Sequence, residues 1–357
     1  MILNKNQPLE RQEKILVTGS AGFIGHHVVE RLVKDGHQVV GVDNVNHYYD
    51  PQLKLGRLKV QGFQAAEIEM GAKLEQANNT FYRLDIGDRG GMESVFNNHE
   101  FDRVIHLAAQ AGVRYSVTNP QKYIDSNVTG FLNIIECCRS NQTKHLVYAS
   151  SSSVYGGEKE VPFAETSPTS HPLSLYAATK RSNELIAHVY SSMYQLPVTG
   201  LRFFTVYGPW ARPDMALHLF TTAILNNKPI KLFNEGQMER DFTYIDDVVD
   251  GILSILDKIP EPAFAGIQNV DTSLTAPYAI FNIGSNRPTA LMRYIEAIEK
   301  ATGKTAEKLL LPMQPGDMYK TYAKSENLMR YSGFKPATDL QFGVDQFVSW
   351  YKDFYKL

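Results

Sequence analysis

The chain has 357 residues, 43% of them hydrophobic, enough to bury a large core and to set an expectation of about two domains. Its formal net charge is -2 and basic residues form no long run, so a nucleic-acid partner, which needs a concentrated positive face, is not expected. The start, MILNKNQPLERQEK, lacks the apolar run of a secretory leader, and no later segment approaches ~20 uninterrupted apolar residues, so the reading is a soluble cytoplasmic protein without membrane contact.

KILVT (14–18) predicts a first strand. The stretch after it carries Ile24, Val28, Val29, Leu32 and Val33 at helical spacing and ends near Gly36. QVVGVD (38–43) predicts the second strand. Residues 50–79 are polar and poorly periodic; they read as a surface excursion between strands two and three with room for a helix of its own. FYRLD (81–85), RVIHLAA (103–109), HLVYAS (145–150) and PVTGLRF (197–203) follow as strands, with helical patterns at 120–140 and 173–194. Such alternation predicts a parallel sheet covered by helices on both faces, an α/β architecture. From about residue 205, Pro and Gly punctuate often, as in YGPWARPDM and LPMQPGD, and short elements mix. That change predicts a smaller mixed domain over the carboxyl edge of the sheet, where doubly wound folds hold ligands.

Several chemistries find no support. The two cysteines, Cys137 and Cys138, are adjacent in an apolar segment, and no CxxC occurs; they read as buried reduced thiols. The ten histidines form no HExxH or other ligand spacing, so no metal site is expected. There is no GxSxG and no GxxxxGK[ST], which disfavours hydrolase and P-loop readings.

GSAGFIG (19–25) follows the first strand and opens a helix, with glycines at 19, 22 and 25. Gly19 permits the tight turn, Gly22 the approach of backbone to a pyrophosphate, and Gly25 close packing of helix on strand. The helix N-terminus then offers its N–H groups to phosphate. Asp43 ends the second strand about 20 residues on, where an acid accepts from ribose hydroxyls and repels a 2′-phosphate, so NAD is favoured over NADP. Asp85, ending the third strand, reads equally as an adenine-side contact or as a turn aspartate.

SLYAATK (174–180) places Tyr176 and Lys180 on one helical face. Tyrosine titrates near 10, and a neighbouring ammonium favours its phenolate, so Tyr176 is a candidate general base for an alcohol. One helix earlier, YASSSSVYG (148–156) puts four serines where a strand ends, without a carboxylate.

These motifs, with HLAAQAGVRYS, SNVTGFLN, LRFFTVYGPWARPDM, RDFTYIDDVV and LPMQPGD, cover the chain from residue 14 to about 350. The sequence resembles the extended branch of the short-chain dehydrogenase/reductase family, and most closely its UDP-glucuronate 4-epimerase group of nucleotide-sugar epimerases. The resemblance implies a Rossmann doubly wound sheet in an NAD-binding domain (1–204) and a nucleotide-sugar domain (205–357), with a segment near 240–280 packing back onto the first. It implies tightly bound NAD, a UDP-sugar substrate and a homodimer. Tyr176 is then the base at the 4-hydroxyl. Lys180 holds the cofactor ribose and depresses the tyrosine pKa, and Ser151 shuttles the proton. Phe23, Ile24, Asn44, Ile86, Leu107, Ala108 and Ala109 join the glycines, Asp43 and Asp85 around NAD. Arg212 and Arg240 become candidates for the pyrophosphate or ribose, Arg114 for the pocket mouth, Asp317 for the uridine ribose, and Ser152, Ser153 and Thr205 for the sugar's C6 group.

Related dehydratases and decarboxylases resemble one another in an acid within the triplet that here is Ser151-Ser152-Ser153. Its absence argues against both. A neutral UDP-hexose epimerase is the runner-up. A dinucleotide-binding scaffold without catalysis is disfavoured, because Ser151, Tyr176 and Lys180 are all present.

Overall fold

In the computed structural model, which describes residues 12–64, 68–261, 275–313 and 319–357, the apolar runs become strands as their pattern predicts. In chain order the strands are β1 (Lys14–Thr18), β2 (Gln38–Asp43), β3 (Lys73–Gln76), β4 (Asn79–Arg83), β5 (Arg103–His106), β6 (His145–Ser151), β7 (Val198–Phe203), β8 (Thr205–Tyr207), β9 (Ile230–Leu232), β10 (Glu239–Tyr244), β11 (Tyr278–Ile283), β12 (Pro288–Ala290), β13 (Lys308–Leu310) and β14 (Lys320–Thr321). The helices are α1 (Phe23–Lys34), α2 (Gln52–Val60), α3 (Arg89–Asn98), α4 (Tyr115–Thr118), α5 (Pro120–Tyr123), α6 (Gly130–Ser140), α7 (Leu175–Tyr194), α8 (Ala216–Leu225), α9 (Ile245–Leu256), α10 (Leu291–Thr302), α11 (Glu326–Ser332) and α12 (Leu340–Tyr355).

The main sheet runs β11-β7-β6-β5-β1-β2-β4-β3, parallel throughout except for the β3–β4 pair. Along β1, Ile15 and Val17 enter one core while Leu16 enters the other, as alternation across a strand requires. α1 and α9 cover the first face; α3, α6 and α7 cover the second. Smaller sheets, β12-β10-β14 with β8 beside β10, and β13-β9, are built from the chain after β7. Among the described residues no helix is long and apolar enough to cross a membrane.

Several elements differ from expectation. The third expected strand starts at Asn79 and stops at Arg83, because Asp85 turns away to accept from the Gly87 N–H at 2.8 Å. The fourth stops at His106: the Ala108 N–H is taken by the Thr18 hydroxyl at 3.2 Å rather than by a neighbouring strand. The 50–79 excursion holds α2 and also β3, whose sequence KLEQ lacks the apolar alternation that marks a half-buried strand. The 120–140 helix is interrupted by a π-helical turn at Ile124–Thr129. Beyond residue 204, α9 packs on α1, and β11 pairs with β7 in parallel, so both join the main layer.

Strand order reverses between β1 and β5, and ligands of open α/β sheets lie outside the carboxyl ends at such a point. The glycine turn follows β1 there, and Leu107–Ala109 follows β5.

Candidate active site

The turn after β1 leaves no room for side chains. Gly19 has φ +71°, and a Cβ on it would stand 2.8 Å from the Ala108 nitrogen. A Cβ on Gly22 would meet the Gly19 carbonyl oxygen at 2.8 Å, and one on Gly25 would meet it at 2.1 Å. Gly22 caps α1 without a side-chain hydrogen bond, and the first turn holds no acid, so the N-terminal N–H groups are left for an anion. Gly19, Gly22 and Gly25 line one cleft with Phe23, Ile24, Ile86 and Leu107 to Ala109.

Asp43 and Asn44 lie on the wall of the same cleft. The buried Asp43 carboxylate accepts from the Val45 N–H at 2.8 Å and from Lys54 Nζ at 2.9 Å. Lys54 was not anticipated; it comes from α2 inside the polar excursion and is itself buried. Asp85 is not on the wall. It accepts from Asn44 Nδ2 at 2.7 Å, so it braces a cleft residue and corresponds to the turn-aspartate reading.

At the other end, Ser174 caps α7 by accepting from the Ala177 N–H at 3.1 Å, which fixes Tyr176 in the first turn and Lys180 one turn later. Both line the cleft, with Ser151, Ser152, Ser153 and Thr205. Burial raises the Tyr176 pKa; a hydrogen bond with Ser151 and the positive charge of Arg212 oppose it. Lys180 Nζ donates to the Ala149 carbonyl at 2.7 Å, pinning α7 to β6. Burial lowers Lys180 to about 8, countered by Glu184.

The four serines divide. Ser150 donates to Glu184 at 2.6 Å, and Glu184 pairs with the buried Arg202 at 2.8 Å. Ser151 ends β6 and caps the short 3₁₀ turn Ser152–Tyr155: its Oγ accepts from the Ser153 N–H at 3.2 Å and donates to Ser153 Oγ at 3.0 Å. The π-helical turn adds a residue that spacing did not flag. Asn127 Oδ1 accepts from the Gln110 N–H at 2.7 Å, its Nδ2 donates to Thr179 Oγ1 at 3.0 Å, and its carbonyl accepts from Asn183 at 2.6 Å. It thus joins the cleft wall at Gln110 to the residue beside Lys180.

The expected arginines separate. Arg212 lines the cleft and holds Asp214 at 2.9 and 3.2 Å. Arg240 is not on the wall; its guanidinium donates to the Glu239 and Tyr319 carbonyls at 2.8 and 3.2 Å. Arg114 is also off the wall, over the Phe233 ring at 5.4 Å. Asp317 lies outside the described residues. Cleft residues that went unnoticed include Tyr48, Lys54, Gln110, Ser126, Phe204 and Met215. Gln110, Ser126, Phe204 and Met215 fall within the motifs HLAAQAGVRYS, SNVTGFLN and LRFFTVYGPWARPDM, whereas Tyr48 and Lys54 lie in no motif.

The chain matches the NAD dependent epimerase/dehydratase family over residues 15–284. It belongs to that family. The epimerase is 50% identical over 345 residues to protein CapI of Staphylococcus aureus, covering 96% of this chain and 99% of CapI. It is 44% identical over 350 residues to a probable UDP-glucuronate 4-epimerase of Rhizobium meliloti (strain 1021), covering 96% and 98% of the two chains. UDP-glucuronic acid 4-epimerase from Bacillus cereus, crystallised with UDP-glucuronic acid and NAD, matches it with a TM-score of 0.82 at 32% identity, over 96% of this chain and 100% of that one. The protein is an NAD-dependent nucleotide-sugar 4-epimerase.

The residues fit NAD: a turn packed too closely for a Cβ at Gly19, Gly22 or Gly25, an uncapped helix N-terminus free to face a pyrophosphate, and a buried acid ending β2 on the same cleft. When bound, NAD supplies the hydride acceptor and donor for C4. Tyr176, Ser151 and Lys180 bring a phenol, a hydroxyl and an ammonium to the wall of this one cleft. Among the described residues the cleft wall carries one carboxylate, Asp43 at the end of β2.

Proposed function

We propose that this epimerase interconverts UDP-glucuronate and UDP-galacturonate through a transient 4-keto sugar. The observation that carries the reading is the hydroxyl-only wall beside Tyr176, formed by Ser151, Ser152, Ser153 and Thr205. Elimination of water across C5–C6 of a 4-keto sugar needs an acid and a base there, and among the described residues this wall carries no carboxylate. The likeness to the Rhizobium and Bacillus proteins supports the uronate.

In this mechanism Tyr176 accepts the proton of the 4-hydroxyl, with Ser151 relaying it between sugar and phenol. Lys180 holds the cofactor ribose, and Arg212 takes the diphosphate in a bidentate fork. The flat keto sugar must turn to present its other face, so the sugar is held loosely and the nucleotide firmly, with binding energy drawn from the remote UDP. Ser152, Ser153 and Thr205 can donate to the C6 carboxylate in either orientation, whereas a buried arginine fork would clamp one.

Steady-state kinetics test this. The ratio of kcat/KM for UDP-glucuronate to that for UDP-glucose should favour the uronate. Alanine at Ser152, Ser153 and Thr205 should raise KM for the uronate and leave the neutral sugar nearly unchanged. Equal effects on both sugars contradict the carboxylate contact. A preference for UDP-glucose moves the enzyme to the neutral-hexose reading.

A further inference from the structure

Two segments meet over the cleft. The first is the loop after β2, which carries Asp43 and Asn44 at the adenosine end and then Tyr48. The second is the segment after β8, which carries Trp210, Arg212 and Asp214. Tyr48 Oη donates to Asp214 Oδ2 at 3.1 Å, and Arg212 grips the same carboxylate with two N–H groups at 2.9 and 3.2 Å. Tyr48 and Arg212 both line the cleft, while Asp214 stands at its exposed rim. Tyr48 is seated from below as well: a Cβ on Gly112 would come within 2.3 Å of its hydroxyl, and its ring lies 4.9 Å from that of Tyr115. Close by, the fully buried Arg57 donates to the Ala21 carbonyl of the glycine turn and to Tyr49 Oη, both at 2.8 Å, and to the Trp210 carbonyl at 2.6 Å.

The two connections differ in kind. Arg57 is a buried guanidinium with three acceptors, which fastens the segments to each other and to the glycine turn. The Tyr48–Asp214–Arg212 chain is solvated, and exposed ion pairs open readily. An epimerase that sets aside a hydride on its cofactor must keep that cofactor until the hydride is returned. We propose that Tyr48, Asp214 and Arg212 form an openable tie across the cleft mouth that retains NAD between turnovers, hinged beside the fixed Arg57 contact. Tyr48 and Asp214 are positioning residues in this scheme: they act on how fast NAD leaves.

The test is the exchange rate of bound cofactor. Holoenzyme loaded with radiolabelled NAD is chased with a large excess of unlabelled NAD, and retained label is followed by rapid filtration. Tyr48→Phe and Asp214→Asn should each speed release roughly 3- to 10-fold, the range set by one lost charge-assisted hydrogen bond or exposed pair. The double variant should release no faster than Asp214→Asn alone, because both changes break one tie. Asp214→Glu should restore slow release. A release rate unchanged in both single variants overturns the proposal, as does additivity in the double variant. Acceleration that merely follows a fall in thermal midpoint, without rescue by glutamate, also overturns it.

Discussion

In the proposed mechanism Tyr176 acts as a base, and its burial works against the ionised form that role needs. Among the described residues, Ser151 and the charge of Arg212 oppose that burial. Tyr176→Phe should therefore lower kcat by about 10²–10⁴-fold while NAD still copurifies, read from turnover and from the nucleotide released on denaturation. Gly25→Ala should do the reverse in order: its Cβ would meet the Gly19 carbonyl oxygen at 2.1 Å, so cofactor content falls first and activity falls with it. At this scale, residues placed by local spacing were legible. The three glycines follow from a strand–turn–helix context, and Tyr176 and Lys180 from one helical turn. Other charged residues were not, because bracing and binding look alike in sequence. Asp85 holds Asn44, and Arg240 holds two carbonyls. Lys54 reaches Asp43 only because α2 folds over the β2 loop.

Elements position these groups through buried polar joints. α7 is pinned to β6 by the Lys180 bond to Ala149 and by Ser150 with Arg202 on Glu184. Removing one partner of a buried pair strands the other charge, so Glu184→Gln should cost about 3–5 kcal/mol, seen as a lower urea midpoint. Glu184 also raises Lys180 against its burial, so the same change should move the alkaline limb of kcat to lower pH. A limb that stays in place would separate Lys180 from the reaction. The helix and strand alternation that built this layer was readable from apolar period, since both faces of the sheet are covered. β3 and the π-helical turn were not: one has no apolar alternation, and the other keeps the composition of an ordinary helix while Asn127 turns inward to Gln110 and Thr179.

Across the whole molecule, His106, His145 and His218 are buried and held neutral. Burial lowers His106 to about 3 and His145 and His218 to about 4. Unfolded, these rings bind protons below about 6.5, so between there and pH 4 the unfolded state carries more protons and stability falls as pH drops. Each contributes up to about 1.4 kcal/mol per pH unit in that window. His145→Gln, which can keep bonds to Leu256 and Thr199, should shrink the stability difference between pH 7 and 5 by about 1–2 kcal/mol in urea titrations. The same assembly gathers the glycine turn, Asp43, the serine wall and Tyr176 around one cleft, and the central claim is the reaction run there. The most direct measurement is proton NMR of UDP-glucuronate incubated with the holoenzyme in deuterium oxide. The account predicts UDP-galacturonate, with the sugar's C4 position still carrying protium because the hydride never leaves the site. A pentose product, a deuterated C4 or no conversion at all would contradict it.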